Sequence, residues 1–452
     1  MREPAPGVDW RYYCHNCLLA LSAPVILGGF AWRFAITRRA REDLLQRLGR
    51  YPEELRRLRQ GGDPVIWIHA VSVGEVATAA AILAEVKRRA PLARIVLSTT
   101  TSTGQETARK RGLDLDGLVY FPYDLPYAVN RALDAIGPDL LVTIDTELWP
   151  NVLALAHARG VKTAVANARF SDKAVKRAGL VRWHYRWMFS TVDRVLAQSQ
   201  LDAERYIGFG ADPQRVEVTG NVKFDEDFPE VSPAAVAKLR QDLGLLPDLP
   251  VWVVGSSREG EEEYILDAFR ELRMAHHHMQ LVIAPRHPER GDEVARLVRE
   301  RGYHVIRRTQ LQQAASEGAA QPRAADRPED TVVILDTIGE LARVYAIADL
   351  VTVGGSFVRW GGHNMLQPMA QGKPVIFGPH THNFRDIVSI ALAAEAAIQV
   401  PSHQELAGAV ARILSSEAER QLLSARALRV VQENRGASAR TAERLVELLN
   451  SP

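Results

Sequence analysis

The most constraining feature of this sequence is a recurrent unit: a short, uninterrupted apolar run, a polar turn, then a stretch of helical periodicity. PVIWIHAV (64–71) ends in SVGE and is followed by VATAAAILAEVKRRA. RIVLSTTT, GLVYFPYD, DLLVTIDTELWP, KTAVANAR and DRVLAQS repeat the pattern. Runs that are apolar at consecutive positions, rich in β-branched residues and polar at their C-terminal ends are strands buried on both faces of a parallel sheet. A second series begins at PVWVVGSSREGEEE and continues through MQLVIAPRHPER, YHVIRR, TVVILDT, ADLVTVGGSF and KPVIFGPH. Two α/β domains of Rossmann type follow, set to face each other across a cleft. At 452 residues the chain exceeds what one ordinary core accommodates. The acidic, proline-bearing DEDFPEVSPAAV marks the hinge, giving an N-terminal domain at 46–225 and a C-terminal domain at 226–452. TQLQQAASEGAAQPRAADRPED (309–330) lacks an apolar period and reads as a surface loop.

Residues 1–45 form a separate segment. Tyr12 to Trp32 carries no charge and is followed by Arg33, Arg38, Arg39 and Arg41. It has the length of a membrane span, weakened by Pro24, Gly28 and Gly29. The flanking arginines would hold the main body on the cytoplasmic side. A buried or interfacial helix of the first domain is the other reading. Cys14 and Cys17 lack a second ligand pair and read as free thiols. A net charge of +2 does not point to nucleic acid.

Ligands of open α/β sheets bind beyond the carboxyl ends of the strands, and the polar motifs fall there. Glu75, in HAVSVGE, is placed either as a general base or as an ordinary first-turn glutamate favoured by the helix dipole. Asp145 and Glu147, in IDTELWPN, suit positioning or electrostatic stabilisation better than metal binding, since no histidine stands at ligand spacing. Lys223 is a candidate anion contact or a surface lysine. In the second series, GSSREGEEE opens a helix whose N–H groups suit an anion, its acids reading as a solvated first turn. Arg286, beside His287, is suited to grip phosphate with two N–H groups. His276 to His278 precede a strand and do not read as a metal tract. In GGSFVRWGGHNMLQP, Gly354, Gly355, Gly361 and Gly362 let the backbone approach a ligand closely. No G-x-x-x-x-G-K-[ST] or early G-x-G-x-x-G is present, which excludes a P-loop NTPase and argues against a dinucleotide dehydrogenase.

HAVSVGE, TTTSTGQE, DTELWPN, AQSQLDAERY, VTGNVKFD, GSSREGEEE, APRHPER, DTIGEL, GGSFVRWGGHNMLQP and FGPHTHNF stand in an order that resembles the 3-deoxy-D-manno-octulosonic acid (Kdo) transferases, glycosyltransferase family 30. The resemblance spans nearly the whole chain. It implies a GT-B fold and an inverting, metal-independent transfer of Kdo from CMP-Kdo to a lipid A precursor, with no cofactor. The reaction would take place at the cytoplasmic face of the inner membrane, against its lipids. It implies that Glu75 is the base and that Asp145 and Lys223 stabilise the transition state. It also implies that Arg286 and His287, Ile338–Gly339–Glu340, Gly361 and Gly362, and Asn364, Met365, Leu366 and Gln367 bind the CMP donor. The basic and aromatic stretch 173–189 is a candidate contact for headgroups or for the acceptor's phosphates. Three positions depart from the family pattern: Asp145 and Gln367 replace glutamates, and Arg258 replaces a common histidine. A nucleotide-sugar epimerase of the same fold, or a periplasmic-type binding protein, are the competing readings.

Overall fold

The apolar runs are strands, and every pairing between them is parallel. In a computed structural model of the chain, residues 8–21, 41–58, 61–170, 175, 182–228, 230–275, 278–317 and 330–451 are described. The first sheet contains β1 (Val65–His69), β2 (Arg94–Thr99), β3 (Gly117–Tyr120), β4 (Leu140–Ile144), β5 (Lys162–Ala168), β6 (Arg194–Ala197) and β7 (Val216–Val218). Their order is β3-β2-β1-β4-β5-β6-β7, so the winding reverses between β1 and β4. Alternate residues of β1 serve opposite cores. Ile66 and Ile68 pack with Val76, Ile82 and Val86 of helix Val73–Arg89, while Val65 and Trp67 pack with Val129, Leu133 and Val152 on the other face. This period of two inside an all-apolar run is the mark of a strand buried on both sides.

The second sheet contains β8 (Val251–Ser257), β9 (Gln280–Pro285), β10 (His304–Arg307), β11 (Thr331–Ile334), β12 (Leu350–Val353), β13 (Val375–Phe377) and β14 (Ile398–Gln399). Its order is β10-β11-β9-β8-β12-β13-β14, with the reversal between β8 and β12. Trp252, Val254, Leu281 and Ile283 share a core with helices Glu261–Met274 and Leu406–Ser415.

Three boundaries differ from the sequence expectation. The chain divides into Met1–Glu226 with Arg435–Pro452, and Asp227–Asn434, so the C-terminal helix Ala437–Leu449 returns to the first domain. Its Ala442, Leu445 and Leu448 complete the core under helix Val73–Arg89. Asp225 fastens its start, accepting from the N–H groups of Gly436 (2.6 Å) and Ser438 (2.6 Å) and from the Ser438 hydroxyl (2.7 Å). Next, the start of the expected anchor is a helix at 10–21 seated on the first domain. Tyr12 packs on Ala154, Trp187 and Met188, and Asn16 donates to Asn151 at 2.8 Å. No helix among the described residues is long and apolar enough to cross a membrane; residues 22–40 of that expectation lie outside the described residues. Finally, the supposed loop at 309–330 opens as helix Arg308–Glu317, with Leu311 buried. Residues 318–329 lie outside the described ones.

Because Asp225 satisfies three donors at a helix start, Asp225→Ala should destabilise the first domain by about 1–3 kcal/mol. Denaturant unfolding followed by tryptophan fluorescence checks this; an unchanged midpoint for that domain contradicts it.

Candidate active site

In the first domain the candidate residues gather at the reversal of the winding. β1 leads through Ala70–Ser72 into helix Val73–Arg89, placing Glu75 in its first turn. One Glu75 oxygen accepts from the Val71 N–H at 2.8 Å and the other from the Ser72 hydroxyl at 3.0 Å. The carboxylate folds back on the turn and is half-buried. Burial, reinforced by the negative charges of Asp145 and Glu147, pushes its pKa up from 4.5 to about 7. Glu75 can therefore exchange a proton near neutrality.

Asp145 follows β4 at φ 61°, a left-handed conformation that Asp and Asn tolerate best among residues with side chains. It is 8% exposed. Its Oδ1 accepts from Asn167 Nδ2 at 2.7 Å, and its Oδ2 lies 3.2 Å from Arg169 Nε. Glu147 accepts from the Trp149 indole at 2.9 Å, and burial raises its pKa. Lys223, half-buried on the short helix Val222–Asp225, is placed through Asn221, whose side chain accepts from its N–H at 3.0 Å.

Sequence reading missed Asn167. It is fully buried at the end of β5 at φ 53°. Its amide donates to Asp145, its Oδ1 accepts from the Val222 N–H at 3.0 Å, and its carbonyl accepts from Gln198 at 2.9 Å. One side chain thus ties Asp145 to the turn that carries Lys223. The signal was an asparagine inside an otherwise apolar parallel strand, where a buried amide demands partners. His69, in the same motif as Glu75, is a core residue: it stacks on Phe121 at 3.6 Å, and burial lowers its pKa to about 3.

The second domain gathers positive charge at its own reversal. Arg258 follows β8, with its guanidinium 4.4 Å from the Trp360 ring centroid. It donates to His363 Nε2 at 3.2 Å and lies 3.0 Å from His287 Nε2. Burial, with the charges of Arg258 and Arg286 beside it, lowers the His363 pKa to about 4, so its Nε2 is free to accept. Arg286 follows β9, its N–H donating to the Ser257 carbonyl at 3.0 Å. The 338–340 turn follows β11 on the same edge of the sheet. Ile338 is 84% exposed, and Glu340 is gripped by Arg308 at 2.8 Å.

Several expectations change here. Glu261 and Glu262 are buried, not a solvated first turn. Glu261 accepts from the N–H groups of Arg258 (2.9 Å), Gly355 (2.6 Å) and Phe357 (2.8 Å), so backbone donors expected to serve an anion are already occupied. A Cβ on Gly354 would lie 2.5 Å from the Ser256 carbonyl, and one on Gly361 2.5 Å from Asn383. Those glycines are demanded by the protein's own packing. The Met365 and Leu366 side chains are core, while Asn364 accepts from the Leu366 N–H at 2.9 Å and Gln367 is half-buried. His276 and His277 and most of 171–181 lie outside the described residues.

Two doubly wound parallel sheets, one with a carboxylate poised near neutrality and the other with a cationic cluster, define a protein of GT-B architecture. Solved structures of the same fold include a glycosyltransferase from Rickettsia africae (12% identity, TM-score 0.57, covering 86% of this chain and all of that one). Another is the UDP-GlcNAc 2-epimerase of Neisseria meningitidis (11% identity, TM-score 0.56, covering 85% and 99%). Sequence narrows the class. Residues 42–226 match the family model of 3-deoxy-D-manno-octulosonic-acid transferase (kdotransferase). The chain is 33% identical over 443 residues to the 3-deoxy-D-manno-octulosonic acid transferase of Haemophilus influenzae, covering 97% of this chain and 98% of that protein. It is 35% identical over 397 residues to that of Bordetella pertussis, covering 85% and 87%. The chain belongs to the Kdo transferase family of glycosyltransferases.

The raised Glu75 pKa carries a stability signature. A carboxyl that titrates at about 7 when folded and at 4.5 when free favours the fold fully below 4.5. That contribution is lost as pH rises through 7. Glu75→Gln should therefore raise the unfolding midpoint of the first domain at pH 8 and change it little at pH 5. Equal shifts at both pH values would show that Glu75 titrates normally.

Proposed function

We propose that this protein transfers Kdo from CMP-Kdo to a sugar hydroxyl of a lipid A precursor, with inversion at the anomeric carbon. The observation that carries the reading is Glu75, held at the switch point of the first sheet with its pKa near neutrality. In this reaction the Glu75 carboxylate takes the acceptor hydroxyl's proton as that oxygen bonds to the anomeric carbon. The bond from that carbon to the phosphate breaks, and CMP leaves with the electron pair. Asp145 and Lys223 serve the transition state at positions joined through Asn167.

The cluster of Arg258, Arg286, His287 and His363 supports a site for the donor's phosphate, since it concentrates positive charge at the carboxyl edge of the second sheet. The 338–340 turn, Gly361, Gly362 and 364–367 complete the CMP site in this reading, Met365 and Leu366 through their backbone. Neither a metal nor an organic cofactor is required. The acceptor in this reading is a lipid, and the reaction is proposed to run at the cytoplasmic face of the inner membrane, as the resemblance implies. Exposed Trp10, Tyr13, Leu18, Leu21 and Trp183 support contact with its lipids.

Glu75→Gln should leave CMP binding within about twofold by calorimetry and lower transfer by about 10²–10⁴-fold, the usual worth of a positioned base. In the wild-type protein kcat/KM should rise with pH through about 7, because only ionised Glu75 accepts the proton. Transfer by the Gln variant at near wild-type rate would remove Glu75 from the mechanism.

A further inference from the structure

The proposed reaction poses an electrostatic problem for the first domain. Glu75, Asp145 and Glu147 converge closely enough that the charges of the latter two raise the Glu75 pKa. A Kdo donor carries a carboxylate and a phosphate, and a lipid A precursor carries phosphates. Three acids would repel each of these unless a cation stood among them. Arg169 is such a cation. It follows the last residue of β5, the strand next to β4, and its Nε lies 3.2 Å from Asp145 Oδ2.

The exposures of the pair differ sharply. The Asp145 side chain is 11% exposed and that of Arg169 is 42% exposed. Both Asp145 oxygens face a protein donor, Oδ1 toward Asn167 and Oδ2 toward Arg169. The backbone is engaged as well: the Asp145 N–H donates to Ala166 at 3.0 Å, and its carbonyl accepts from the Tyr206 hydroxyl at 3.3 Å. Among the described residues, Asp145 is the only ion-pair partner of the Arg169 guanidinium, and it meets Nε. Among the described residues its two terminal nitrogens meet no acid, which leaves them for a planar anion, the bidentate geometry for which a guanidinium is suited and an ammonium is not.

We infer that Arg169 is a further substrate-contacting residue of this site, gripping a carboxylate or phosphate of the substrates, and that Asp145 is a positioning residue acting through it. Asn167 fixes Asp145, Asp145 fixes Arg169 through Nε, and Arg169 meets the anion. The inference rests on the proposed Kdo transfer. It changes what Asp145 is for: its short carboxylate need not reach the substrate. The two sources of the anion differ in the constant they alter. A donor carboxylate held by Arg169 makes the KM for CMP-Kdo rise on substitution; an acceptor phosphate makes the KM for the lipid rise.

The test is a double-mutant cycle with Arg169→Ala, Asp145→Asn and the double variant, assayed for transfer with each substrate varied in turn. Asparagine tolerates the left-handed backbone at position 145 and can still accept from Asn167, so Asp145→Asn preserves the fold while losing the ion pair. Each single variant should lose about 10- to 100-fold in kcat/KM, the worth of a charged hydrogen bond. The double variant should lose no more than the worse single, because the two act as one unit. Arg169→Lys should recover only part of the loss. Losses that multiply in the double variant would show that Asp145 meets the substrate itself and would overturn the inference, as would wild-type kinetics for Arg169→Ala. Calorimetric binding of free Kdo and of the lipid precursor to the same four proteins separates the inference from the reading beneath it. A wild-type protein that binds without transferring sinks the proposed reaction, and the cycle is then read on affinities: weaker binding by Arg169→Ala upholds the anion contact, and unchanged binding overturns it.

Discussion

The parallel pairing of β1 with β4 is the constraint on which the first site depends. Ile66 lies opposite Leu140, Trp67 opposite Leu141, Ile68 opposite Val142 and His69 opposite Thr143. That register brings the two strand ends, 75 residues apart in sequence (69 and 144), to one edge of the sheet. One chain then turns into a helix and supplies Glu75; the other enters a left-handed turn and supplies Asp145. β1 is buried on both faces, so a slip by one residue would exchange its two cores at once. The position of the acid pair is thereby as secure as the core itself.

The same logic produces opposite electrostatics in the two domains. At the first switch point burial and mutual repulsion lift a carboxylate toward neutrality, a condition for proton transfer at working pH. At the second, burial together with crowding by guanidinium groups keeps His363 neutral, so it accepts from Arg258 rather than competing with it. The buried Glu261 organises that edge from beneath, holding the Arg258, Gly355 and Phe357 amides. The acid is too deep for a ligand, and its work is to fix the loops that carry the cations.

Much of the architecture was legible because burial on both faces of a parallel sheet writes itself as continuous apolar runs. The placement of Glu75 at a strand-to-helix turn was equally legible. What escaped notice has a common cause: sequence periodicity reports that a face is apolar, not which surface covers it. The pattern of Ala437–Leu449 shows an amphipathic helix, yet nothing in it says that it returns across the chain to the first core. Glu261 looks like any first-turn glutamate, since its three amide partners come from residues 258, 355 and 357. Asn167 and Arg169 were hidden for the same reason: their partner, Asp145, lies in the turn after a neighbouring strand. The glycines of GGSFVRWGG read as sites where a ligand comes close, but at Gly354 and Gly361 the approaching group is the protein itself.

The central claim is that this pair of domains moves a Kdo residue onto a lipid acceptor. The most direct measurement supplies the purified protein with CMP-Kdo generated in situ and a tetraacylated lipid A precursor, and resolves the lipid by mass. The account predicts a lipid heavier by one or more whole Kdo residues, with CMP released in equal number. An unchanged lipid, with folded protein and both substrates intact, would contradict it.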